Sequence, residues 1–160
     1  MAGTKRFLIV LIKPSHYDDD GYVIQWFRSP IPSNSLASVY SLIDDSRRRK
    51  VLGDDVDIEI DVIDETNTVI RFNKLIRRLK AADGAMVGQV GVQSNQFPRA
   101  VDIGRQFRDA GIQVIMGVFH AAGSIAMLPQ CPPEIVSAQG LGISIYAGEA
   151  EGRMDDIVQA

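Results

Sequence analysis

Three apolar runs between Gly84 and Glu151 each stop at small or polar residues, and that pattern limits the chain to few folds. The first is Ala85–Gly91, followed by Val92-Gln93-Ser94-Asn95. The second is Gln113–Met116, followed by Gly117-Val118-Phe119-His120-Ala121-Ala122-Gly123. The third is Ile143–Ala147, followed by Gly148-Glu149-Ala150-Glu151-Gly152. Short apolar runs with helical segments between them read as parallel strands covered on both faces. Their loops then collect at one edge of the sheet, where open α/β sheets bind ligands.

The remaining segments extend the alternation. Phe7–Lys13 is a continuous apolar run and reads as a buried strand. Pro14 to Ser33 is too long for an ordinary strand-to-helix loop, and loops of that length are usually functional or mobile. A helix is expected over Asn34–Lys50, capped by Ser33 or Ser35, with Leu36, Val39, Tyr40 and Ile43 on one face. Val56–Ile63 alternates apolar and acidic residues, which suits an edge strand. Further helices are expected over Arg71–Ala82 and Phe97–Ala110. Pro98 is tolerated in a first turn, and Gly111 stands where a helix stops. A strand over Ile112–Met116, a short helix from Pro132-Pro133 to Gln139, a strand over Leu141–Ala147 and a helix from Ala150 complete the order. Right-handed crossovers turn this βαβαβαβαβα series into a doubly wound α/β fold. The expected architecture is one domain spanning residues 1–160, flavodoxin-like or Rossmann-like, with a five-stranded parallel sheet in the order 2-1-3-4-5. That order places the ligand crevice over the ends of strands one, three and four.

Charge and composition narrow the partners. The net charge of −3 gives no expectation of nucleic acid, which wants a basic surface. The basic run Arg47-Arg48-Arg49-Lys50 sits at an expected helix end, where cations complement the dipole. The single Cys131 excludes an internal disulfide. No apolar run reaches the roughly 20 residues of a membrane span, so no membrane partner is expected. Phe7–Ile12 lies between Lys5-Arg6 and Lys13-Pro14 without a small-residue cleavage site, and reads as a strand rather than a signal peptide. The expected location is cytoplasmic.

The loops carry few strong motifs. There is no phosphate loop, and no G-x-G-x-x-G follows strand one. Gly88 to Gly91 lies inside a strand and reads as close packing against a helix or ligand. Asp18-Asp19-Asp20 could collect a hard cation, as in a receiver domain. The partner aspartate and lysine of such a site are missing from the ends of strands three and five, so a solvated acidic loop is the expectation. His120 stands past strand four in the expected crevice, and reads as a turn-shaping histidine more readily than a metal ligand. Gln93, Ser94 and Asn95 offer donors and acceptors to a polar ligand edge, or simply cap the next helix. Gly117 and Gly148 would let a large flat ligand approach the backbone. Trp26 and Phe27 form a lid, an interface, or part of a loop tucked onto the core.

These loops resemble the N-terminal cobalamin-binding domain of cobalamin-dependent radical S-adenosylmethionine (radical SAM) proteins. In that family strand four ends in G-G-x-H, followed by a proline-containing stretch, and strand five ends in G-E-G-E. Here the segments read Gly117-Val118-Phe119-His120, with Pro129 beyond, and Gly148-Glu149-Ala150-Glu151. The loop Lys13 to Gly21 and the turn Gly91 to Pro98 look like one branch of the same family. The resemblance implies cofactor contacts from Ser15, Gln93, Ser94, Asn95, Gly117, His120, Gly148 and Glu149, and no catalytic or metal-ligating residue in this chain. It implies a corrin over the C-terminal edge, with its nucleotide tail near Gln93, Ser94, Gly117 and Gly148. It also implies a following radical SAM domain in the full-length protein. That domain would carry the CxxxCxxC iron–sulfur cluster and S-adenosylmethionine, and perform methyl transfer or rearrangement with the bound cobalamin. The D-x-H-x-x-G motif that supplies a histidine to cobalt is missing after strand one, so no histidine is expected on the metal. A non-catalytic flavodoxin-like sensor, ligand-binding or scaffold domain is the alternative.

Overall fold

The computed structural model of the chain describes residues 3–27, 32–118 and 130–160. Five strands run in the order β1 (Lys5–Lys13), β2 (Val56–Asp64), β3 (Gly84–Val92), β4 (Gln113–Val118) and β5 (Ser144–Tyr146). The helices of the described residues are α1 (Asn34–Arg48), α2 (Phe72–Lys80), α3 (Phe97–Asp109), α4 (Pro133–Gly140) and α5 (Met154–Gln159). The strands form one sheet in the order β2-β1-β3-β4-β5. Every pairing is parallel. The chain is therefore the doubly wound α/β fold that its apolar pattern implies.

β1 organises the sheet. It pairs with β2 from Lys5↔Val56 to Lys13↔Asp64, and with β3 from Phe7↔Gly84 to Ile12↔Gln89. Leu8 to Ile12 are at most 2% exposed, because helices cover both faces. Leu8, Val10 and Ile12 face one core with Leu79 of α2, Phe107 of α3 and Ile135 of α4. Ile9 and Leu11 face the other, with Leu36 and Ile43 of α1 and Met154 and Val158 of α5. Strand residues pointing alternately to two covered faces must all be apolar, and this is why the run is continuous.

β2 forms one edge, as its acidic alternation implies. Its Glu59 and Asp61 both hold Arg78 of α2, and Glu59 also meets Arg6 at 3.2 Å. Ser33 caps α1 by accepting from the Leu36 N–H at 3.3 Å. At the other end of α1, Arg47 and Arg48 both pair with Asp44.

Three local expectations shift. Tyr40 is exposed, and the buried stripe of α1 runs through Leu36 and Ile43 with Val39 half-buried. β5 is only three residues long, because Leu141 still bonds back to Ser137 and Ala138 and Gly142 turns with φ 81°. α5 begins at Met154 rather than Ala150, because Ala150 to Arg153 form a turn in which the Arg153 N–H donates to the Ala150 carbonyl at 3.1 Å. No helix among the described residues is long and apolar enough to cross a membrane.

Candidate functional site

The site grows from the glycines of β3 and β4. On β3, Met86 and Val90 belong to the core under α1 and α5, while Val87 and Val92 belong to the opposite core. Gly88, two residues from each of Met86 and Val90, shares their face. On β4, Gly117 lies two residues beyond Ile115, which packs on that same core. A Cβ on Gly117 would approach only the Gln89 carbonyl, at 3.6 Å. Gly117 leaves open the space that a side chain would normally fill between sheet and helices, while at Gly88 the Leu11 side chain stands 3.0 Å from where a Cβ would lie.

The result is a groove of about 690 Å³ between α1 and the β5–α5 segment. Its floor is Leu11, Gly88, Val90, Ile115, Gly117 and Tyr146. One wall is Ser35, Ser38, Val39 and Leu42 of α1. The other is Gly148 to Glu151, with Met154 and Ile157. Gly91 sets how closely the first wall stands. Its φ of 65° and the register shift between Gln89 and Val92 bulge the end of β3 toward α1. A Cβ there would lie 3.0 Å from Ser35 Cβ and Oγ.

Two attachments fix the second wall. The Tyr146 hydroxyl donates to the Glu149 carbonyl at 2.8 Å, tying the loop after β5 to the floor. Deeper, Arg49 grips Asp155 with both terminal nitrogens at 2.6 Å, and Ser46 Oγ donates to the same carboxylate at 2.6 Å. Hydrogen bonds from Arg49, then from Ser46, hold the Asp155 carboxyl down at about 2. Among the described lining residues the only charged side chains are Glu149 and Glu151.

A second polar cluster lies under the β1–α1 loop. Glu65, just past β2, is 1% exposed and receives Arg99 Nε at 3.0 Å and the Ser15 N–H at 3.0 Å. The Ser15 hydroxyl donates to the Ile24 carbonyl. The Tyr17 hydroxyl donates to Asp102 at 2.5 Å, with the Arg99 guanidinium 5.7 Å from its ring centre. Burial first, and the bond to Asp102 next, push the Tyr17 hydroxyl above its ordinary value, with Arg99 opposing. The loop above is a small hairpin: Tyr17 bridges Val23, and the Ile24 N–H donates to the His16 carbonyl at 2.9 Å. Asp18 closes its turn by accepting from the N–H groups of Asp20 and Tyr22 at 3.0 and 2.8 Å. The acidic triplet thus uses one carboxylate as a turn residue. Trp26 and Phe27 follow this hairpin and are 65% and 96% exposed, so these two side chains are not tucked onto the core.

Of the residues singled out from sequence, Gly117, Gly148 and Glu149 line the groove. Ser15 is 1% exposed within the Glu65 cluster. Gln93, Ser94 and Asn95 are exposed in the turn before α3 and do not line the groove. The α3 N-cap is Gln96 rather than Ser94 or Asn95, and its side-chain carbonyl accepts from the Gln93 N–H at 3.0 Å. His120 lies outside the described residues. The groove also sits further along the sheet than expected, on β3, β4 and β5, with β1 supplying only Leu11. Ser35 and Ser38 are the contributors that sequence reasoning missed. Their signal is a pair of small polar residues, three apart, beside the apolar stripe of α1.

No protein-family model matches the chain, and no curated protein or solved structure is significantly similar to it.

Proposed function

We propose that this chain is a corrinoid-binding domain that houses the nucleotide tail of cobalamin in the groove between α1 and α5. The observation that carries the reading is the glycine floor. Gly88 and Gly117 remove two side chains from one face of adjacent strands, under walls that are apolar below and polar at the rim. The volume of about 690 Å³ lies within the range of small-molecule and cofactor sites.

What supports the reading is the chemistry of the lining, apolar at Val39, Leu42 and Met154 and hydroxyl-bearing at Ser35 and Ser38. Gly117, Val39, Leu42 and Met154 would hold the flat heterocycle of the tail. The Ser35 and Ser38 hydroxyls sit at the rim as donors and acceptors for the polar part of the tail. Gly148, with φ 136° and no side chain, would let the loop after β5 pass close to a bound macrocycle. Bound cobalamin would supply methyl-transfer or rearrangement chemistry together with a radical SAM partner domain that holds the iron–sulfur cluster and S-adenosylmethionine. This chain's own part is to bind the tail, orient the ring and exclude water from the groove.

Titration with hydroxocobalamin, followed by absorbance, tests the reading. Saturation is expected well below 1 mM, the level at which binding is worth only about 4 kcal/mol. Gly117→Leu is expected to abolish binding and leave the fold intact, because a Cβ there makes only ordinary contact with the Gln89 carbonyl, at 3.6 Å, and the groove lies beyond it. An unliganded wild type at about 1 mM cobalamin, or full affinity in Gly117→Leu, overturns the proposal.

A further inference from the structure

We propose that the surface joining the β1–α1 hairpin to the β2–α2 loop is a two-fold interface, on which a second copy of this chain docks. Exposed apolar side chains collect there: Tyr22, Trp26 and Val69 are 73%, 65% and 65% exposed. The segments that carry them are stitched together. The Trp26 N–H donates to the Thr66 carbonyl at 2.7 Å, and Gln25 Nε2 donates to the Glu65 carbonyl at 3.2 Å. The hairpin is anchored in turn to α3, through the Tyr17 hydroxyl and Asp102. Apolar groups standing on fixed backbone lose less freedom when a partner covers them.

Charges of opposite sign border this patch. On one side are Asp19 and Asp20, exposed at the hairpin tip. On the other, the chain runs from Val69 into α2, where Arg71, Lys74, Arg77 and Lys80 are exposed and no acidic residue occurs. The remaining cation of α2, Arg78, is held by Glu59 and Asp61. None of the two exposed acids and four exposed cations has an ion-pair partner among the described residues. A two-fold dimer needs a surface complementary to itself, because the same patch meets its own copy turned by 180°. A patch bordered by one sign would repel that copy. Opposite signs on two borders do the reverse, since the rotation carries each hairpin tip to α2 of the other protomer. Two attractions then frame one apolar contact, the usual arrangement of a polar rim around an apolar centre. A uniformly acidic partner would instead meet Asp19 and Asp20, and a uniformly basic one would meet α2, so the two borders select a second copy. None of these residues lines the groove.

So few apolar side chains make a small interface, and a dissociation constant of about 10–100 µM at low salt is expected. Sedimentation velocity from about 1 µM to about 500 µM brackets that range. Trp26→Ser/Val69→Ser should weaken the dimer at least about tenfold, and a rise to about 0.5 M salt should also weaken it. The deciding measurement uses two charge-reversed variants. Asp19→Lys/Asp20→Lys makes both borders cationic and spares Asp18, which closes the hairpin turn. Arg71→Glu/Lys74→Glu makes the borders acidic around the start of α2, where acids suit the helix dipole. Each variant alone should stay monomeric, with the wild-type circular dichroism spectrum. Mixed in equal amounts they should form a dimer again, because each contact then joins opposite charges. A wild type that is monomeric at every concentration, variants that dimerise like the wild type, or a mixture that stays monomeric would each overturn the proposal.

Discussion

Replacing Arg99 with alanine isolates the energy of the cluster beneath the β1–α1 loop. Glu65 is 1% exposed, and the Arg99 side chain is 13% exposed. The substitution removes the donors Nε and Nη2 of Arg99 from Glu65 and leaves the Ser15 N–H as the remaining donor. A buried carboxylate stripped of its cation costs about 3–5 kcal/mol. For a chain of this size each kcal/mol lowers the melting temperature by about 2–4 °C, so a fall of about 6–20 °C is expected. Replacing both partners, as Glu65→Leu/Arg99→Met, removes the charge problem, since apolar pairs often substitute for buried ion pairs with little loss. It still orphans the Ser15 N–H, at about 1–3 kcal/mol. The double variant should therefore be less stable than the wild type and more stable than Arg99→Ala. Urea unfolding followed by circular dichroism measures all three. An Arg99→Ala variant within about 1 kcal/mol of wild type, or a double variant no better than the single, would refute the view of this pair as buried and coupled.

Two further outcomes follow from the groove and its walls. Gly88→Leu should destabilise the fold by about 1–3 kcal/mol, because its Cβ already lies 3.0 Å from Leu11 Cδ2, and a melting curve superposable on wild type would sink this account of the floor. Asp155 titrates at about 2 when folded, below its ordinary 3.8, so its contribution is complete above that ordinary value and is lost as pH falls toward 2. Asp155→Asn should accordingly flatten the acid limb of stability in that window, and denaturation curves that stay parallel to wild type from about pH 5 to pH 2 would contradict the clamp.

The sheet was legible because each strand announces itself locally. Leu8 to Ile12 must be apolar to sit between two helical layers, and the acidic alternation of β2 marks an edge. Gly111, Pro98 and Ser33 marked helix ends through backbone chemistry that operates within a few residues. The groove was only half legible. Gly117 and Gly148 were visible because glycine at the end of an apolar run lets a ligand approach the backbone, but the face a strand glycine opens onto depends on register. The bulge at Gly91 turns β3 toward Ser35, and no pattern within β3 alone encodes that approach. Gln93 to Asn95 looked like ligand contacts by position at a strand end, yet the chain leaves them on the surface before α3. The Glu65–Arg99 pair joins residues 34 apart through tertiary packing, a separation over which periodicity carries no information.

The central place of β1 also has a consequence in time. Its first partner strand is made about 50 residues after it, and its second about 77, since Phe7 pairs with Gly84. At typical ribosomal rates that leaves an aliphatic pentapeptide short of at least one native neighbour for about 4–15 s. Such a segment is a template for joining other nascent chains. Lys5 and Arg6 on one side, and Lys13 and Pro14 on the other, flank it with charge and a residue that cannot donate to a ladder. In the finished protein these four residues lie at the ends of a protected strand; on the nascent chain they are its guard against aggregation.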